Sequence, residues 1–517
     1  MMLETNLVDL FDKAVSQYAE RVAFKDKTRS ITYKELNEEV NRMANVLKKQ
    51  GINHLDRVAV WLKNGIDFII TDFALIKVGA TRVCLNTFLS TEEVTYRIND
   101  SGAKLLICEE EYKNNILSVR DDIASEIQIL TNGGSNSTNF KTLLTEASTN
   151  PIHVPVEESD LTLIMYTGGT TGRSKGVKHT HKSVIAIVYS EIVELEISRG
   201  VHMLHVAPLP HAAGFLIFPG LIRGGKQVIY EGFDPVTYCE AVEKEKITFS
   251  FLVPTMIYMI LDLPNSNDYD LSSLKTIIYG AAPMAPSRIR EAIQLFGNVL
   301  IQIYSQAEVA NQTTVLTADD HLYALENDES ILSSCGRSII MSQVKIVDDK
   351  GEVCPPKKVG EIITKGPHLM EGYWKMEEET NHTIRDGWLY TGDIGYVDER
   401  GYMYLVDRKK DVIISGGFNV YTTVTEKVLF EHPSVLQATV IGVPDKLWGE
   451  AVKAFIVPRE DSLDEESLLQ YCKIKLSNYE VPKSIEIVSE LPLTPYGKID
   501  KKKLREPYWS NIERQVN

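Results

Sequence analysis

The sequence feature that most constrains the fold is a glycine-rich segment, residues 166–176, which follows a short apolar run at residues 161–165. The apolar run is typical of a buried strand. The segment after it contains four glycines, three threonines and two cations. Glycines let backbone N–H groups turn toward one point, and small hydroxyls add donors. The pattern predicts a loop that binds a polyphosphate, with a flexible glycine-rich turn as the plainer interpretation. It is not a Walker A loop, because no Gly-Lys pair is followed by Ser or Thr.

Length and charge restrict the class of protein. A chain of 517 residues is too long for one compact core, so two or more domains are expected. The net charge of −16 argues against a general nucleic-acid binder, whose affinity depends on Lys and Arg at phosphates. Residues 408–517 carry 16 basic and 16 acidic residues. This neutral part is therefore the better host for a large anionic ligand.

The spacing of the cysteines and the hydropathy of the chain indicate the cellular compartment of the protein. The six cysteines have no paired spacing, which is typical of reduced thiols in the cytoplasm. The first residues lack a basic stretch followed by an apolar one, so no signal peptide is expected. The most apolar stretch, residues 247–263, is interrupted by Pro254 and is too short to span a bilayer. We therefore expect a cytoplasmic protein without a transmembrane segment.

Residues 57–108 alternate between strand and helix patterns, with strands at 57–62, 81–85 and 104–108 and helices at 66–78 and 91–101. This alternation predicts a parallel sheet with helices on its faces. Residues 110–158 are polar and weakly patterned, and they are interpreted as a variable connecting region. His179 and His181, which follow the glycine-rich segment, have no acidic partner at a fixed spacing and are predicted to be structural.

Two later strands end in turns made of small or polar residues, at 277–284 and 302–308. Ligands of open parallel sheets bind at the carboxyl ends of strands. Small side chains would let a flat base approach the backbone, and the aromatic ring of Tyr304 could stack on it. The carboxylate of Glu308 is the kind of ligand that magnesium prefers.

These segments, with Asp386–Asp393 and the turn at 492–500, resemble motifs of the adenylate-forming (AMP-binding) superfamily. That family includes acyl- and aryl-CoA synthetases, adenylation domains of peptide synthetases and beetle luciferases. The resemblance extends from about residue 5 to 506, and at least five motifs occur in the family's order. The chain departs from the family pattern at Ser174, Ser305, Ala307 and residues 422–425. The family usually has Thr at position 307, where its hydroxyl contacts the α-phosphate, and Pro at 422.

The resemblance implies a role for each matching residue. The ATP-binding residues are Thr167, Gly168, Gly169, Thr170, Thr171, Gly172, Gly280, Ala281, Ala282, Tyr304, Ser305, Asp393 and Arg408. Magnesium is bound by Glu308 with Thr167, and the catalytic residues are Lys498, Lys175, Glu308 and His211. The hinge and the surface facing CoA comprise Lys410, Ser415, Gly416 and Gly417.

The implied acyl pocket contains His211, Ala212, Phe251, Met256 and Tyr258. For Phe251, Met256 and Tyr258 the plainer interpretation is ordinary core, although adaptable Met side chains also suit an apolar ligand. Relatives that activate amino acids have an acidic residue at position 212 to bind the substrate ammonium. Ala212 cannot pair with a buried cation, and an unpaired buried charge is costly. The sequence therefore disfavours amino acids as substrates.

The implied fold is α/β. A large domain, residues 1–407, would contain stacked, mostly parallel sheets with helices and a small β-subdomain. A small, mobile α+β domain would follow at residues 408–517. The expected function is that of an acyl-CoA synthetase, which uses ATP, magnesium and CoA to activate a fatty, alicyclic or aromatic carboxylic acid. The alternatives are an enzyme that loads a separate carrier protein and a nucleotide-binding homologue with reduced catalysis.

Overall fold

The computed structural model describes residues 5–123, 127–134, 139–167, 173–459, 463–493 and 499–509. The chain forms two compact units. The first comprises Met1–Thr167, Lys175–Val344 and Thr364–Leu389, and the second comprises Gly168–Ser174, Lys345–Ile363 and Tyr390–Asn517.

Strands and helices alternate through most of the first unit. The elements up to residue 222 are α1 (Leu7–Gln17), β1 (Val22–Lys25), β2 (Ser30–Thr32), α2 (Tyr33–Lys49), β3 (Arg57–Trp61), α3 (Ile66–Lys77), β4 (Thr81–Cys84), α4 (Thr91–Ser101), β5 (Leu105–Glu109), α5 (Glu110–Ser118), β6 (Gln128–Asn132), α6 (Phe140–Glu146), β7 (Leu161–Thr167), β8 (Lys175–Thr180), α7 (His181–Glu194), β9 (His202–His205), α8 (Ala212–Phe215) and α9 (Ile217–Ile222).

The same alternation continues to residue 338. These elements are β10 (Lys226–Ile229), α10 (Pro235–Glu245), β11 (Phe249–Leu252), α11 (Pro254–Leu261), β12 (Thr276–Gly280), α12 (Pro286–Phe296), β13 (Leu300–Tyr304), β14 (Thr314–Leu316), α13 (Ala318–Asn327) and β15 (Arg337–Ser338).

The strands of the first unit form two large sheets. A nine-stranded sheet has the order β15-β14-β13-β12-β11-β9-β10-β1-β2, in which β13, β12, β11, β9, β10 and β1 are parallel. A seven-stranded sheet has the order β18-β8-β7-β4-β3-β5-β6, with β18 at Gly372–Tyr373. Its strands β7, β4, β3, β5 and β6 are parallel. The predicted α/β fold with mostly parallel sheets is confirmed.

Helix α3 contributes to the main apolar cluster of the first unit. Ten of its twelve residues are buried, as expected of a helix enclosed by other elements. The Phe73 ring lies 4.8 Å from the Phe11 ring and 5.1 Å from the Phe218 ring, measured between centroids. These rings join α3 to α1 and α9 within the main apolar cluster.

A smaller antiparallel sheet corresponds to the expected β-subdomain. It has the order β16-β17-β20-β19, and β21 pairs with β20. The elements in this part of the chain are β16 (Gln343–Val347), β17 (Gly360–Lys365), α14 (Glu377–Thr383), β19 (Ile384–Arg385), β20 (Trp388–Val397) and β21 (Met403–Arg408).

The second unit has an α+β core of its own. Its elements after residue 408 are β22 (Ile413–Ser415), β23 (Phe418–Val420), α15 (Thr422–Phe430), β24 (Val435–Asp445), β25 (Gly449–Pro458), α16 (Glu465–Lys475), β26 (Ser484–Ile487) and α17 (Lys501–Trp509). The long β24–β25 hairpin is extended by β22, β23 and β26. Leu429, Leu468 and Cys472 on the helices are fully buried against this sheet.

The prediction for residues 110–158 was wrong. This stretch contains α5, β6 and α6, and β6 pairs in parallel with β5 over five residue pairs. Leu130 and Thr131 are buried, although their polar neighbours obscure the strand pattern. In the part of the chain that the structure describes, no helix is long and apolar enough to cross a membrane.

Candidate active site

The glycine-rich segment connects two antiparallel strands, β7 and β8. Thr167 ends β7 and pairs with Lys175, the first residue of β8. A hydroxyl and a cation therefore flank the base of the connection. The predicted ATP-binding residues of the loop itself, Gly168, Gly169, Thr170, Thr171 and Gly172, lie outside the described residues.

Lys175 and Glu308, predicted from separate motifs, belong to one network. The Lys175 ammonium forms an ion pair with Glu379 on α14 and lies 5.1 Å from the centre of the Tyr373 ring. The Tyr373 hydroxyl donates to Oε1 of Glu308 at 2.9 Å. Burial, together with the charge of Glu308, raises the pKa of Tyr373, so the phenol stays protonated and acts as a donor.

Backbone contacts fix Glu308 in place. It lies in a 3₁₀ turn, Ala307–Val309, just after β13. The Met370 N–H donates to the Glu308 carbonyl at 2.8 Å. His179, fully buried on β8, donates from Nε2 to the Ala307 carbonyl at 2.7 Å. The loop that carries the carboxylate is thus held by β8 and by the segment before β18.

Both histidines are buried and contact the backbone, which is in line with the predicted structural role. Burial lowers the pKa of both His179 and His181 to about 4, so each is neutral near pH 7. Nδ1 of His181 accepts from the Leu7 N–H at 3.2 Å.

The residues present suit a magnesium ion that is mostly bound by water and phosphate. Magnesium in nucleotide sites uses one or two carboxylates, substrate phosphates and several waters. Tyr373 occupies one oxygen of Glu308, and within the described part of the chain the other oxygen accepts no hydrogen bond. No group of three or more His, Cys, Asp or Glu side chains that could hold a metal occurs among the described residues. Glu308 would therefore be the main protein ligand.

The small-residue turn after β12 lies beside the end of β13. Gly280 pairs with Ile303, and a Cβ added at Gly280 would lie 2.6 Å from the Ile303 carbonyl oxygen. Only glycine fits there. Ala281 has a left-handed backbone, with φ of 66°, and both Ala281 and Ala282 are exposed.

Two further predicted ATP-binding residues end the neighbouring strand. Tyr304 is the last residue of β13 and is 9% exposed, and Ser305 follows it and is half-buried. The Ser305 hydroxyl donates to the carbonyl of Gln306 at 3.0 Å. The exposed alanines and Tyr304 thus lie at the carboxyl edge of the sheet, where ligands of parallel sheets bind.

The side chain of Asn64 anchors the segment that precedes His211 and Ala212. The Asn64 side chain donates to the Ala207 carbonyl at 2.9 Å and accepts from the Leu209 N–H at 3.0 Å. His211 and Ala212 are both half-buried, and Ala212 begins α8. The loop is tight, because a Cβ at Gly214 would lie 2.1 Å from the Leu209 carbonyl oxygen.

The other predicted acyl-pocket residues have different surroundings. Phe251 is 7% exposed and belongs to the main apolar cluster. Met256 is half-buried on α11. The Tyr258 hydroxyl accepts from the Ala285 N–H at 3.0 Å, which ties α11 to the segment before α12.

In the second unit, the predicted ribose-binding residues are neighbours. Asp393 on β20 pairs with Arg408 on β21, and Nε of Arg408 lies 3.4 Å from Oδ1 of Asp393. Asp393 is 3% exposed. Glu361 accepts from the Gly392 N–H at 3.2 Å and pairs with Lys409 at 3.0 Å, so it contacts the residues next to Asp393 and Arg408.

The predicted hinge and CoA-facing residues follow directly. Lys410 is half-buried, and burial, assisted by the charge of Arg408, lowers its pKa to about 8. Ser415 is buried at the end of β22. Gly416 and Gly417 have φ of 59° and 84°, which favours glycine at both positions. Lys498 lies outside the described residues.

Sequence reasoning missed Tyr373, Glu379 and the partner of Thr422. The Thr422 N–H donates to Oδ2 of the buried Asp407 at 2.5 Å, and its hydroxyl donates to the same oxygen at 3.0 Å. Burial raises the pKa of Asp407 to about 6. A proline at 422, as the family pattern has, would lack both donors. The presence of Thr instead of Pro at position 422 is therefore explained by its hydrogen bonds to the buried carboxylate of Asp407, 15 positions earlier in the chain.

Comparison with known families accounts for most of the chain. Residues 11–374 match the model of the AMP-binding enzyme family, and residues 425–498 match the model of the AMP-binding enzyme C-terminal domain. A feruloyl-CoA synthase from Amycolatopsis sp. is 36% identical over 93% of this chain and 94% of its own. A medium/long-chain-fatty-acid–CoA ligase from Mycobacterium tuberculosis is 36% identical over 85% of this chain and 79% of its own.

Solved structures agree with this assignment. The amide bond synthetase of Marinactinospora thermotolerans is 31% identical, with a TM-score of 0.86, over 97% of this chain and 99% of its own. The o-succinylbenzoate CoA synthetase of Bacillus subtilis, solved with its acyl-adenylate intermediate, is 27% identical, with a TM-score of 0.86, over 99% of both chains. The chain therefore belongs to the AMP-binding enzyme family, and it is an AMP-forming acid–thiol ligase.

Proposed function

We propose that the protein is an acyl-CoA synthetase that joins an apolar carboxylic acid to CoA through an acyl-adenylate. In the first step a carboxylate oxygen attacks the α-phosphorus of ATP, and the bond to the β-phosphate oxygen breaks, releasing pyrophosphate. In the second step the CoA sulfur attacks the acyl carbon, the carbon–oxygen bond breaks, and AMP leaves. The thiol proton passes to solvent.

The network of Lys175, Tyr373 and Glu308 is the observation that carries this proposal. Negative charge on phosphate oxygens must be stabilised in the first step, and fixed cations and donors supply most of the rate in phosphoryl chemistry. Lys175 has the required charge at the base of the glycine-rich connection. Glu308 would hold magnesium, which neutralises phosphate charge when bound.

The remaining roles rest on the matching motifs. Lys498 would bridge the substrate carboxylate and the α-phosphate, and Asp393 with Arg408 would bind the ribose. Gly280, Ala281, Ala282 and Tyr304 would border the adenine. Ala307 lacks a hydroxyl, and its methyl group packs against Val177, Tyr373 and neighbours. A neighbouring donor would then replace the Thr that the family uses.

The substrate is proposed to be a fatty, alicyclic or aromatic acid. Relatives act on fatty acids, ferulate and o-succinylbenzoate by name, and all three are acids without an ammonium group. Ala212 is half-buried and packs against the main apolar cluster, so it offers no partner for a cation. We therefore expect every α-amino acid to be a poor substrate.

Acid-dependent exchange of labelled pyrophosphate into ATP tests this proposal. The panel comprises alkanoates from C4 to C16, benzoates, cinnamates and the common α-amino acids. At least one apolar acid should support exchange well above the rate without acid, and no amino acid should. Strong exchange with any α-amino acid would overturn the role given to Ala212.

The acceptor is proposed to be free CoA. The electroneutral part at residues 408–517, inside a chain of net charge −16, supports binding of an anionic thiol there. Mass spectrometry with CoA as the sole thiol should detect an acyl-CoA. If turnover requires a phosphopantetheinyl carrier protein, or produces only an amide with an added amine, the choice of CoA is wrong.

Domain division and location are also proposed. We place the boundary between the large domain and the small one at residues 407 and 408, inside the gap between the two family matches at 374 and 425. All six cysteines are free thiols, which supports a reducing compartment, the cytoplasm.

A further inference from the structure

A small cavity lies against the site loop, within the first unit. Its walls include Arg82, Cys84, Met165, His211 and Phe215, and its volume is about 30 Å³. Arg82 pairs with Leu163 and Cys84 with Met165 across β4 and β7, so these side chains share one face of the seven-stranded sheet. The opposite wall comes from α7, α8 and α9. The cavity therefore extends from the sheet to the loop that carries His211.

Arg82 is an unusual residue for this position. It lies in the central part of a parallel sheet and is only 8% exposed, where an apolar side chain is the norm. Asp72 on α3 is its counter-ion, with Nη1 of Arg82 2.5 Å from Oδ2. The guanidinium also lies over the Phe68 ring, 5.4 Å from its centre.

The guanidinium has one donor to spare. Nη1 is paired with Asp72, whereas Nε is buried and has no hydrogen-bond partner among the described residues. The neighbouring Cys84 thiol is only a weak acceptor, and burial raises its pKa, so it stays neutral. An unsatisfied buried donor destabilises the folded protein, so such a group needs an explanation. A ligand oxygen in the cavity would supply the missing acceptor.

The charge balance around Arg82 and the volume of the cavity restrict the chemical group that could carry this oxygen. Asp72 already balances the positive charge of Arg82, so a second carboxylate would add an uncompensated charge at a buried site. A cavity of about 30 Å³ admits a group no larger than one or two waters. The rest of the lining, with Met165, Val184, Phe215 and Phe218, is apolar. These features fit a small, neutral, oxygen-bearing end of a ligand.

We propose that Arg82 determines specificity by binding an uncharged oxygen, a hydroxyl or carbonyl, at the end of the acid remote from the reacting carboxylate. This inference rests on the proposed function, because it takes His211 as a wall of the acyl site. It narrows the substrate class from apolar acids to oxygenated apolar acids. Arg82 reaches the substrate at its distal end and takes no part in the bond changes.

The test compares matched acids. For chain lengths from C6 to C14, ω-hydroxy acids and (ω−1)-oxo acids are compared with plain alkanoates and with dicarboxylates, using pyrophosphate exchange. In an aromatic series, 3-(4-hydroxyphenyl)propionate is compared with 3-phenylpropionate. The wild type should prefer a hydroxy or oxo acid, by kcat/KM, over the plain acid of equal length.

The decisive variant removes the ion pair as a unit, Arg82→Met with Asp72→Leu, because removing one partner would leave a buried charge. The preference for the oxygenated acid should fall by about 10- to 100-fold, while exchange with the plain acid persists and shows that the enzyme is folded. The matched control, Lys77→Met with Asp12→Leu, removes another ion pair anchored on α3, and neither residue lines the cavity. The control should keep the wild-type preference.

An unchanged preference in the decisive variant, or a wild-type preference for plain acids or dicarboxylates, would overturn the proposal. Failure of the proposed function has a different signature, which is absence of exchange with every acid. If no acid supports exchange, calorimetric titration of the same acids into the wild type and into the decisive variant tests the role of Arg82. Tighter binding of the oxygenated acid to the wild type, lost in the variant, supports the role, and equal binding refutes it.

Discussion

At the scale of single residues, the proposed ATP site contains an ion pair that a bound nucleotide would have to replace. Lys175 is paired with Glu379, whose side chain is 37% exposed. A pair this open to water contributes only about 0–1 kcal/mol, so phosphates can displace it readily. Glu308, by contrast, is held by Tyr373 and by its backbone. Removing the charge of Glu379 should therefore favour adenylation, whereas removing the charge of Glu308 should impair it.

Matched carboxylate-to-amide variants test this difference. Glu308→Gln should reduce pyrophosphate exchange on the order of 100-fold and raise the magnesium concentration needed for half-maximal rate, because it removes the proposed metal ligand. Glu379→Gln should lower the KM for ATP by up to about 5-fold, because Lys175 no longer has a competing partner. Exchange rates measured across ATP and magnesium concentrations separate these effects. Equal losses in both variants would contradict the assigned roles.

The sequence predicted the residues of this network only in part. Lys175 and Glu308 each lie in a recognisable motif, at the end of a strand. Glu379 lies 204 positions from Lys175, and Tyr373 lies 65 positions from Glu308. Neither has a local pattern that indicates its partner, because the contacts arise only when β18 pairs with β8. Arg82 was missed for a similar reason, since its setting depends on how β4 packs against α3.

At the scale of elements, α7 contains a buried carboxyl group that makes stability depend on pH. Glu191 is fully buried, its Oε1 accepts from Asn311 at 2.6 Å, and its Oε2 has no partner. Burial raises the pKa of Glu191 to about 8, above the ordinary value of 4.5. Between these two pH values the folded protein holds a proton that the unfolded chain releases. The free energy of unfolding should therefore fall as pH rises from about 5 to 8.

Urea unfolding of the wild type and of Glu191→Gln measures this contribution. The wild type should lose up to about 1.4 kcal/mol per pH unit more than the variant over this range, because a neutral amide does not titrate. Glu194→Gln, three residues later in the same helix, should keep the wild-type slope. Parallel slopes for the wild type and Glu191→Gln would show that Glu191 is ionised in the folded protein.

Among the elements, strong periodicity was the reliable guide. The predicted helix at 91–101 coincides with α4, which begins after the capping residue Ser90. The strand β6 and the helices α5 and α6 were missed. Their apolar positions are few and separated by polar residues, and β6 is specified mainly by its pairing with β5. Tertiary pairing of this kind leaves little trace in a local pattern.

At the scale of the whole molecule, the proposed roles assign the two half-reactions to different residues. Lys498 would act on the α-phosphate in adenylation, and Gly417 would border the path of the thiol. Lys498→Ala should reduce pyrophosphate exchange by about 10²–10³-fold, the value of one charged donor at a transition state. Given ready-made acyl-adenylate, the same variant should form thioester at nearly the wild-type rate.

Gly417→Leu should have the reverse effect. A Cβ at this glycine would meet no atom within 4 Å, so a side chain fits, although the left-handed φ of 84° strains it. Its bulk should slow thioester formation while pyrophosphate exchange continues. If each variant lost both half-reactions equally, the proposed division of roles between Lys498 and Gly417 would be wrong.

The central claim is that a carboxylate oxygen attacks the α-phosphorus of ATP before the thiol attacks the acyl carbon. The most direct measurement uses an accepted acid labelled with ¹⁸O in its carboxylate, with ATP, magnesium and CoA, followed by mass spectrometry of the nucleotide product. The account predicts AMP that carries one ¹⁸O atom, formed in equal amount with acyl-CoA. Unlabelled AMP beside acyl-CoA, or ADP with labelled phosphate, would contradict it.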